Sequence, residues 1–193
     1  MPLFIKSQLQ KLAKSLEKSS AQILKNSAET TSDYNQFDIF LSHSSMDADA
    51  ILGLKNQLEN FGYSVYVDWI VDLKMDRQRV TRAIADLIRK RMRQCKCLFY
   101  VPSDNAKTSV WMPWELGYFD GLDRVKSMNI DGKVAICPLA NEEVYDYKGH
   151  EYLGLYPFIS ADKPQGGEKP ILWVNRTQKT YISFKKWLAG HQL

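Results

Sequence analysis

The sequence predicts an α/β protein in which helices cover both faces of a parallel sheet. Short apolar segments typical of buried strands alternate along the chain with longer segments that carry apolar residues at helical spacing. The composition supports this fold class, because 45% hydrophobic and 25% charged residues in a chain of 193 are typical of a globular protein with a substantial core. Strands that alternate with helices form βαβ units, whose crossovers are right-handed.

Charge, hydropathy and cysteine content exclude several classes of protein. The net charge of +4 permits anionic ligands but does not indicate nucleic-acid binding. No apolar segment is long enough to span a bilayer, and the N-terminus does not resemble a signal peptide, so we expect a cytoplasmic protein. Cys95, Cys97 and Cys137 form no CxxC pair, which predicts buried, reduced thiols and no metal site.

The N-terminal segment, residues 1–36, lies outside the alternating pattern. A helix is predicted over residues 3–25, because leucines and isoleucines recur at helical spacing between lysines, and a polar linker follows over 27–36. Such an amphipathic helix can bind a membrane surface, a partner helix or its own domain. Because the apolar face is sparse, we favour docking on its own domain or on a second copy. The main domain is predicted over residues 37–193.

Five strands and four helices are predicted in the main domain. The strands are predicted at 37–42, 64–68, 97–101, 134–137 and 171–174. The helices are predicted at about 47–60, at about 77–94, over the segment that carries Glu115 and reaches about 128, and at 181–189. Ser44 and Asp47 fit a capping box at the first of these helices, and Gly62 fits its C-terminal stop. The tyrosine-rich stretch 141–170 is interpreted as mostly loop.

Polar residues follow three of the predicted strands. They lie in the segments 42–45, 68–69 and 109–115. In open parallel sheets, ligands bind beyond the carboxyl ends of the strands, so these segments are expected to converge on one site. The serine-rich turn after the first strand could bind a phosphate, although it lacks the glycines of a phosphate-binding loop.

The segment TSVWMPWELGYFD carries a carboxylate beside tryptophans at the start of a helix. Trp111 and Glu115 are four residues apart and share one helix face, while Pro113 suits the first helical turn. A carboxylate near a helix N-terminus either stabilises the helix alone or serves a function. Its place among the three converging segments favours a functional role. Gly117 and Gly121 predict a close approach of this helix to the sheet.

Four motifs occur in order at suitable spacing: FDIFLSHSSMD, GYSVYVDW, CLFYVPS and SVWMPWELG. Together they resemble a Toll/interleukin-1 receptor (TIR) domain of the bacterial kind, over residues 37–190. The resemblance implies a flavodoxin-like fold with a five-stranded parallel sheet. It also implies cleavage of the nicotinamide–ribose bond of NAD⁺, with NAD⁺ as substrate and no further cofactor. The family's catalytic glutamate lies in a W-x-x-x-E pattern, which here runs from Trp111 to Glu115.

Further residues are predicted to bind the substrate. They are Ser42, His43, Ser44, Asp68, Trp69, Ser109 and Trp111. The residues of the serine turn could line the pyrophosphate or ribose. Asp68 could bind a ribose hydroxyl or cap the following turn, and the two tryptophans could stack on a ring of the substrate or belong to the core. His43 is not identified as a base, because the sequence reveals no carboxylate partner for it.

The resemblance also implies a biological setting and leaves alternatives open. It implies anti-phage defence through NAD⁺ depletion or a nucleotide signal, self-association through TIR–TIR contacts, and a separate sensor or effector protein. The loop at 70–76 lacks the proline and glycine of animal signalling members, so adaptor-type signalling through it is not expected. The alternatives are a non-enzymatic TIR–TIR interaction module and a nucleoside deoxyribosyltransferase-like enzyme.

Overall fold

The computed structural model describes residues 2–17, 36–72, 79–127 and 133–193. The strands are β1 (Phe4–Ile5), β2 (Phe37–Ser42), β3 (Val65–Tyr66), β4 (Cys95–Tyr100), β5 (Val134–Ile136), β6 (Leu139–Ala140), β7 (Phe158–Asp162), β8 (Ile171–Asn175) and β9 (Tyr181–Ser183). The helices are α1 (Lys6–Glu17), α2 (Ala48–Asn60), α3 (Asp68–Val71), α4 (Arg82–Arg93), α5 (Trp111–Ser127) and α6 (Phe184–Leu188). Short 3₁₀ turns cover Ser45–Asp47, Asn105–Thr108 and Glu151–Leu155.

The main sheet contains seven strands in the order β3-β2-β4-β5-β7-β8-β9. The first five are mutually parallel, whereas β8 and β9 are antiparallel to their neighbours. The expectation of a five-stranded parallel sheet was therefore wrong in two details. The fifth parallel strand is β7, inside the stretch interpreted as loop, and the predicted strand at 171–174 runs in the opposite direction. Residues 163–170, with Gly166 at φ +75° in a turn, connect β7 to β8 and make an antiparallel hairpin.

The strands are buried on both faces because their side chains alternate between two cores. Ile39 and Leu41 of β2 pack toward α2 and α6, whereas Phe40 between them packs toward α4 and α5. In β4, Phe99 and Tyr100 divide between the two cores in the same way. Helices therefore cover both faces, as the sequence predicted. The three cysteines are buried free thiols, as expected.

The described part of the N-terminal segment packs on the sheet domain. Residues 4 and 5, predicted as helix, form β1, which pairs in parallel with β6. Helix α1 lies against α2 so closely that a Cβ on Gly53 would stand 2.1 Å from the carbonyl oxygen of Leu9. The close approach predicted for Gly117 was wrong, because a Cβ there would meet nothing within 4 Å. The close helix contact of this fold is thus made by α2.

Several predicted boundaries differ from the structure. The strand predicted over 64–68 pairs only through Val65 and Tyr66, and Asp68 begins the short helix α3 instead. Helix α4 begins at Arg82 because the hydroxyl of Thr81 accepts the N–H of Ile84 at 3.3 Å and caps the helix there. At the chain's end, residues 181–183 form β9 before α6 starts. Residues 18–35, 73–78 and 128–132 lie outside the described part, so most of the linker and of the loop after α3 go undescribed.

Within the described ranges, no helix combines the length and the apolar character that crossing a membrane requires.

Candidate functional site

Glu115 and Ser42 meet at the carboxyl edge of the sheet. Ser42 is the last residue of β2, and its hydroxyl donates a 2.6 Å hydrogen bond to the Oε2 atom of Glu115. Both residues are fully buried, at 0% exposure. A hydroxyl that donates to a carboxylate makes a short, strong hydrogen bond, particularly where water is excluded. Strand β2 and the first turns of α5 together fix the position of the Glu115 carboxylate.

His43, Trp69 and Asp68 form a second contact set beside this pair. The indole N–H of Trp69 donates to Nε2 of His43 at 3.1 Å, and Nδ1 of His43 lies 2.8 Å from the carbonyl oxygen of Leu41. Because an indole N–H can only donate, Nε2 must accept, and Nδ1 carries the proton that it donates to Leu41. Asp68 Oδ1 lies 3.5 Å from Nε2, so the structure supplies the nearby carboxylate that the sequence did not reveal. Through this contact His43 holds the indole of Trp69 in place.

The remaining predicted binding residues are engaged in local structure. The hydroxyl of Ser44 accepts the N–H of Met46 at 3.4 Å, and the hydroxyl of Ser109 accepts that of Met112 at 3.3 Å. Each serine therefore stabilises the start of a helical turn. Trp111 is only 6% exposed and packs edge-to-face on Trp114, with ring centroids 5.5 Å apart. This contact places Trp111 in the core beneath α5.

Asp47 connects three segments of the chain at the same edge. Its carboxylate accepts hydrogen bonds from Lys6 at 2.8 Å, Ser103 at 2.6 Å and Asn105 at 3.0 Å. The predicted capping box is therefore not formed, since the carboxylate turns away from the helix it was expected to cap. Burial alone would raise the pKa of Asp47, but the hydrogen bonds and the charge of Lys6 together hold it below its ordinary value. This connection went unrecognised because its partners are far away in the sequence.

A buried ion pair holds the segment that carries Asp68 and Trp69. Arg91 donates to both carboxylate oxygens of Asp72, at 2.9 and 2.6 Å, and the hydroxyl of Tyr66 donates to the same group at 2.7 Å. Asp72 directly follows α3, so this pair links the end of α3 to helix α4. Burial, together with the adjacent Asp72 charge, raises the pKa of Tyr66.

The structure thus brings together most of the predicted site residues at one edge of a doubly wound sheet. Ser42 contacts Glu115, and His43 contacts Trp69 beside Asp68, whereas Ser44, Ser109 and Trp111 serve the framework around them. A buried carboxylate at the carboxyl edge of such a sheet is typical of ligand-binding and catalytic α/β proteins.

Comparison with known proteins assigns the family. The TIR domain model matches residues 39–185, and the chain belongs to the TIR-domain family. One relative, from Bacillus cereus (strain MSX-D12), is named "Probable 3' cyclic ADP-D-ribose synthase ThsB'"; it is 48% identical over 153 residues, which cover 79% of this chain and 75% of the relative. A second, from Cytobacillus dafuensis, is named "Putative cyclic ADP-D-ribose synthase TIR2". It is 31% identical over 83 residues, which cover 42% of this chain and 22% of that protein.

Proposed function

We propose that this chain cleaves the nicotinamide–ribose bond of NAD⁺ with Glu115 as the catalytic residue. The observation that carries the proposal is the buried Glu115 carboxylate, fixed by the hydroxyl of Ser42 at the carboxyl edge of the sheet. Membership of the TIR family supports it, as do the names of the two relatives, since a cyclic ADP-D-ribose can be made from NAD⁺ by releasing nicotinamide.

The chemistry requires a carboxylate but no general acid. The nicotinamide ring of NAD⁺ is already cationic, so it takes the bonding electron pair and leaves as a neutral molecule. The ribose carbon that it leaves becomes oxocarbenium-like, as in glycoside hydrolysis. A carboxylate beside that ribose stabilises the developing positive charge and can hydrogen-bond the ribose hydroxyls. Glu115 supplies the carboxylate, and Ser42 holds it in position.

The acceptor determines the product. If a hydroxyl of the adenosine ribose attacks the cation and releases its proton, the product is a cyclic ADP-ribose; if water attacks, it is linear ADP-ribose. We propose the cyclic product, because the relative that matches 79% of this chain is named a 3' cyclic ADP-D-ribose synthase. Exclusion of water from the site favours attack from within the same molecule.

The substrate reaches the carboxylate only after neighbouring side chains move, because Glu115 has no exposed surface in the structure. Trp69 is half-buried, so its ring can contact the substrate, while Trp111 is proposed to support Glu115 from the core. We propose that Asp68 and the serine turn Ser42–Ser44 contact ribose or pyrophosphate. The family resemblance further supports a cytoplasmic role in antiviral defence, with TIR–TIR self-association and a separate sensor or effector protein.

The decisive experiment is NAD⁺ consumption by purified protein over a series of protein concentrations, with products resolved by mass spectrometry. We expect free nicotinamide together with a cyclic ADP-ribose isomer, and a steeper than linear dependence on protein concentration if assembly completes the site. Parallel reactions with free nucleosides test the deoxyribosyltransferase alternative. If neither NAD⁺ nor nucleosides are consumed at any concentration, the proposal is contradicted for the isolated chain, and the interaction module is favoured.

Glu115→Gln tests the role of the carboxylate directly. Removing one preorganised electrostatic group lowers turnover by about 10²–10³-fold in comparable sites, so we expect a loss of at least that size. Glu59→Gln is the matched control, because Glu59 lies in the last turn of α2, which leads away from the carboxyl edge, and its carboxylate pairs with Lys55. Turnover of the Glu115 variant at the wild-type rate would contradict the assignment.

A further inference from the structure

A cavity of about 710 Å³ opens beside the candidate active site. Its walls come from four parts of the chain: the end of β4 with the segment that follows it (100–107), Pro113 on α5, the segment 138–153 after β5, and Leu3 next to β1. This volume lies within the range of about 300–1,000 Å³ that is usual for small-molecule sites. The stretch that sequence analysis interpreted as loop thus builds a wall of a ligand-sized cavity.

The cavity is separate from the site around Glu115. Neither Glu115 nor any of the seven residues predicted to bind the substrate lines it, whereas Pro113 does. Pro113 and Glu115 are two residues apart on α5, so their side chains project about 160° apart around the helix axis. The first turn of α5 therefore lies between the two sites.

Three tyrosines give the cavity an aromatic lining. Tyr100, Tyr147 and Tyr152 all line it, and Tyr152 is 44% exposed. Burial, the hydroxyls of the other two tyrosines and the Glu115 charge raise the pKa of Tyr100 to about 12. Tyr100 therefore keeps its hydroxyl proton and can donate a hydrogen bond into the cavity that it lines. Aromatic side chains on the wall of a cavity favour planar ring ligands, which can stack on them.

The turn that carries Tyr152 is held in an unusual conformation. Glu151 has φ +49°, the left-handed region that a residue with a side chain rarely adopts. A Cβ on Gly149 would stand 2.5 Å from the backbone nitrogen of Gly154, so the turn closes tightly on itself. Such strain is retained chiefly where the surroundings or a function require it. Here it directs His150, Glu151 and Tyr152 toward the cavity lining.

The polar residues of the lining carry both signs of charge. Lys107, which pairs with Asp104 at 3.0 Å, and His150 can bind a phosphate. Asp104 and Glu151 can accept hydrogen bonds from sugar hydroxyls. A ligand that matches this lining has a planar aromatic base, a sugar with hydroxyl groups and a phosphate.

We propose that this cavity is a second binding site, distinct from the site around Glu115, and that it takes a nucleoside 5′-phosphate. The base stacks on the tyrosines, the sugar hydroxyls face the carboxylates, and the phosphate faces Lys107 and His150. Because the segment 102–107 lines the cavity and leads toward α5, an occupied cavity fixes that segment. The proposal does not depend on NAD⁺ cleavage, since the site is assigned from its own lining.

Binding of adenosine 5′-monophosphate (AMP) to the full chain, measured by isothermal titration calorimetry, tests this site. We expect saturable binding with one molecule per chain. Tyr152→Ala should weaken it by tenfold or more, because loss of an aromatic platform removes the stacking of one base. Tyr145→Ala is the matched control, as Tyr145 is 48% exposed but does not line the cavity, and its effect should stay within twofold.

Two further variants test which part of the ligand each residue binds and whether the cavity is independent of Glu115. Lys107→Ala should weaken AMP binding at least threefold and leave adenosine binding within twofold. Glu115→Gln should leave AMP binding within twofold, whether or not the protein cleaves NAD⁺. The proposal is overturned if neither AMP nor adenosine binds saturably, if Tyr152→Ala has no effect, or if Tyr145→Ala weakens binding equally.

Discussion

Three of the buried or nearly buried carboxylates near the carboxyl edge of the sheet, Asp47, Asp72 and Glu115, are held in two different ways. Asp47 and Asp72 each face a cation of the chain, Lys6 and Arg91 respectively, and each accepts further hydrogen bonds from neutral donors. Glu115 instead accepts the hydroxyl of Ser42. The contacts of Asp47 and Asp72 connect distant segments of the fold, whereas Glu115 is the carboxylate that we propose stabilises the developing cation on the ribose. The comparison therefore separates structural from chemical carboxylates.

The comparison predicts that a change at Glu115 lowers turnover strongly but the free energy of unfolding only slightly. Glu115→Gln, the variant with the largest expected effect on activity, should change the free energy of unfolding by about 1 kcal/mol or less, because an amide can still accept the Ser42 hydroxyl. Chemical denaturation of this variant beside the wild type checks this. If Glu115→Gln loses both turnover and folding, Glu115 is also a structural carboxylate, and the comparison with Asp47 and Asp72 fails.

Arg91→Ala should give the largest loss of stability. It leaves Asp72 partly buried without its bidentate partner, and breaking a buried pair costs about 3–5 kcal/mol. Urea unfolding measures the loss, and Arg82→Ala, on the first turn of the same helix with a side chain that is 95% exposed, is the control. A loss below about 1 kcal/mol would show that the pair does not anchor α3.

Lys6→Ala should have a smaller effect, because the Lys6 side chain is 30% exposed while that of Asp47 is 3% exposed. We expect a loss of about 1–2 kcal/mol in the free energy of unfolding, as for a hydrogen bond to a charged group near the surface. Lys11→Ala on the exposed side of α1 is the matched control. Equal losses in the two variants would assign the effect to the helix and not to Asp47.

Acidification should reveal the smallest effect. The folded-state pKa of Asp47 lies below its ordinary value of 3.8, so its contribution to stability is present above that value and is lost as the pH falls through the folded pKa. Asp47→Asn should therefore be less stable than the wild type at pH 7, and the difference should shrink below about pH 4. Denaturation curves at pH 7, 4 and 3 test this; a difference that grows on acidification would contradict the sign of the shift.

Local patterns predicted much of the fold, and long-range contacts determined the rest. Strand β2 was located correctly because its apolar run is buried on both faces, and Gly62 ends α2 at φ +90° as expected. Strand β7 was missed because aromatic and proline residues surround a short apolar run. The direction of β8 depends on the hairpin at Gly166, which apolar patterning does not encode.

The candidate site also contains residues that could be predicted from the sequence and residues that could not. Glu115 and Ser42 could be predicted to converge because both follow strands of a parallel sheet. The roles of Asp47 and Arg91 could not, because each pairs with a residue far away in the sequence or beyond a loop. The need for a glycine at position 53 could not be predicted either. It arises because the backbone of α1 packs closely against α2 at this point, and no local pattern indicates that contact.

The pairing of β1 with β6 also has a consequence for how the chain is made. Phe4 and Ile5 leave the ribosome well before their partners Leu139 and Ala140, which emerge only after strands β2 to β5 have been synthesised. Contacts that span so much of the chain form slowly, because a long loop must close first. We therefore expect the pairing of β1 with β6, and with it the cavity wall that Leu3 provides, to form late in folding.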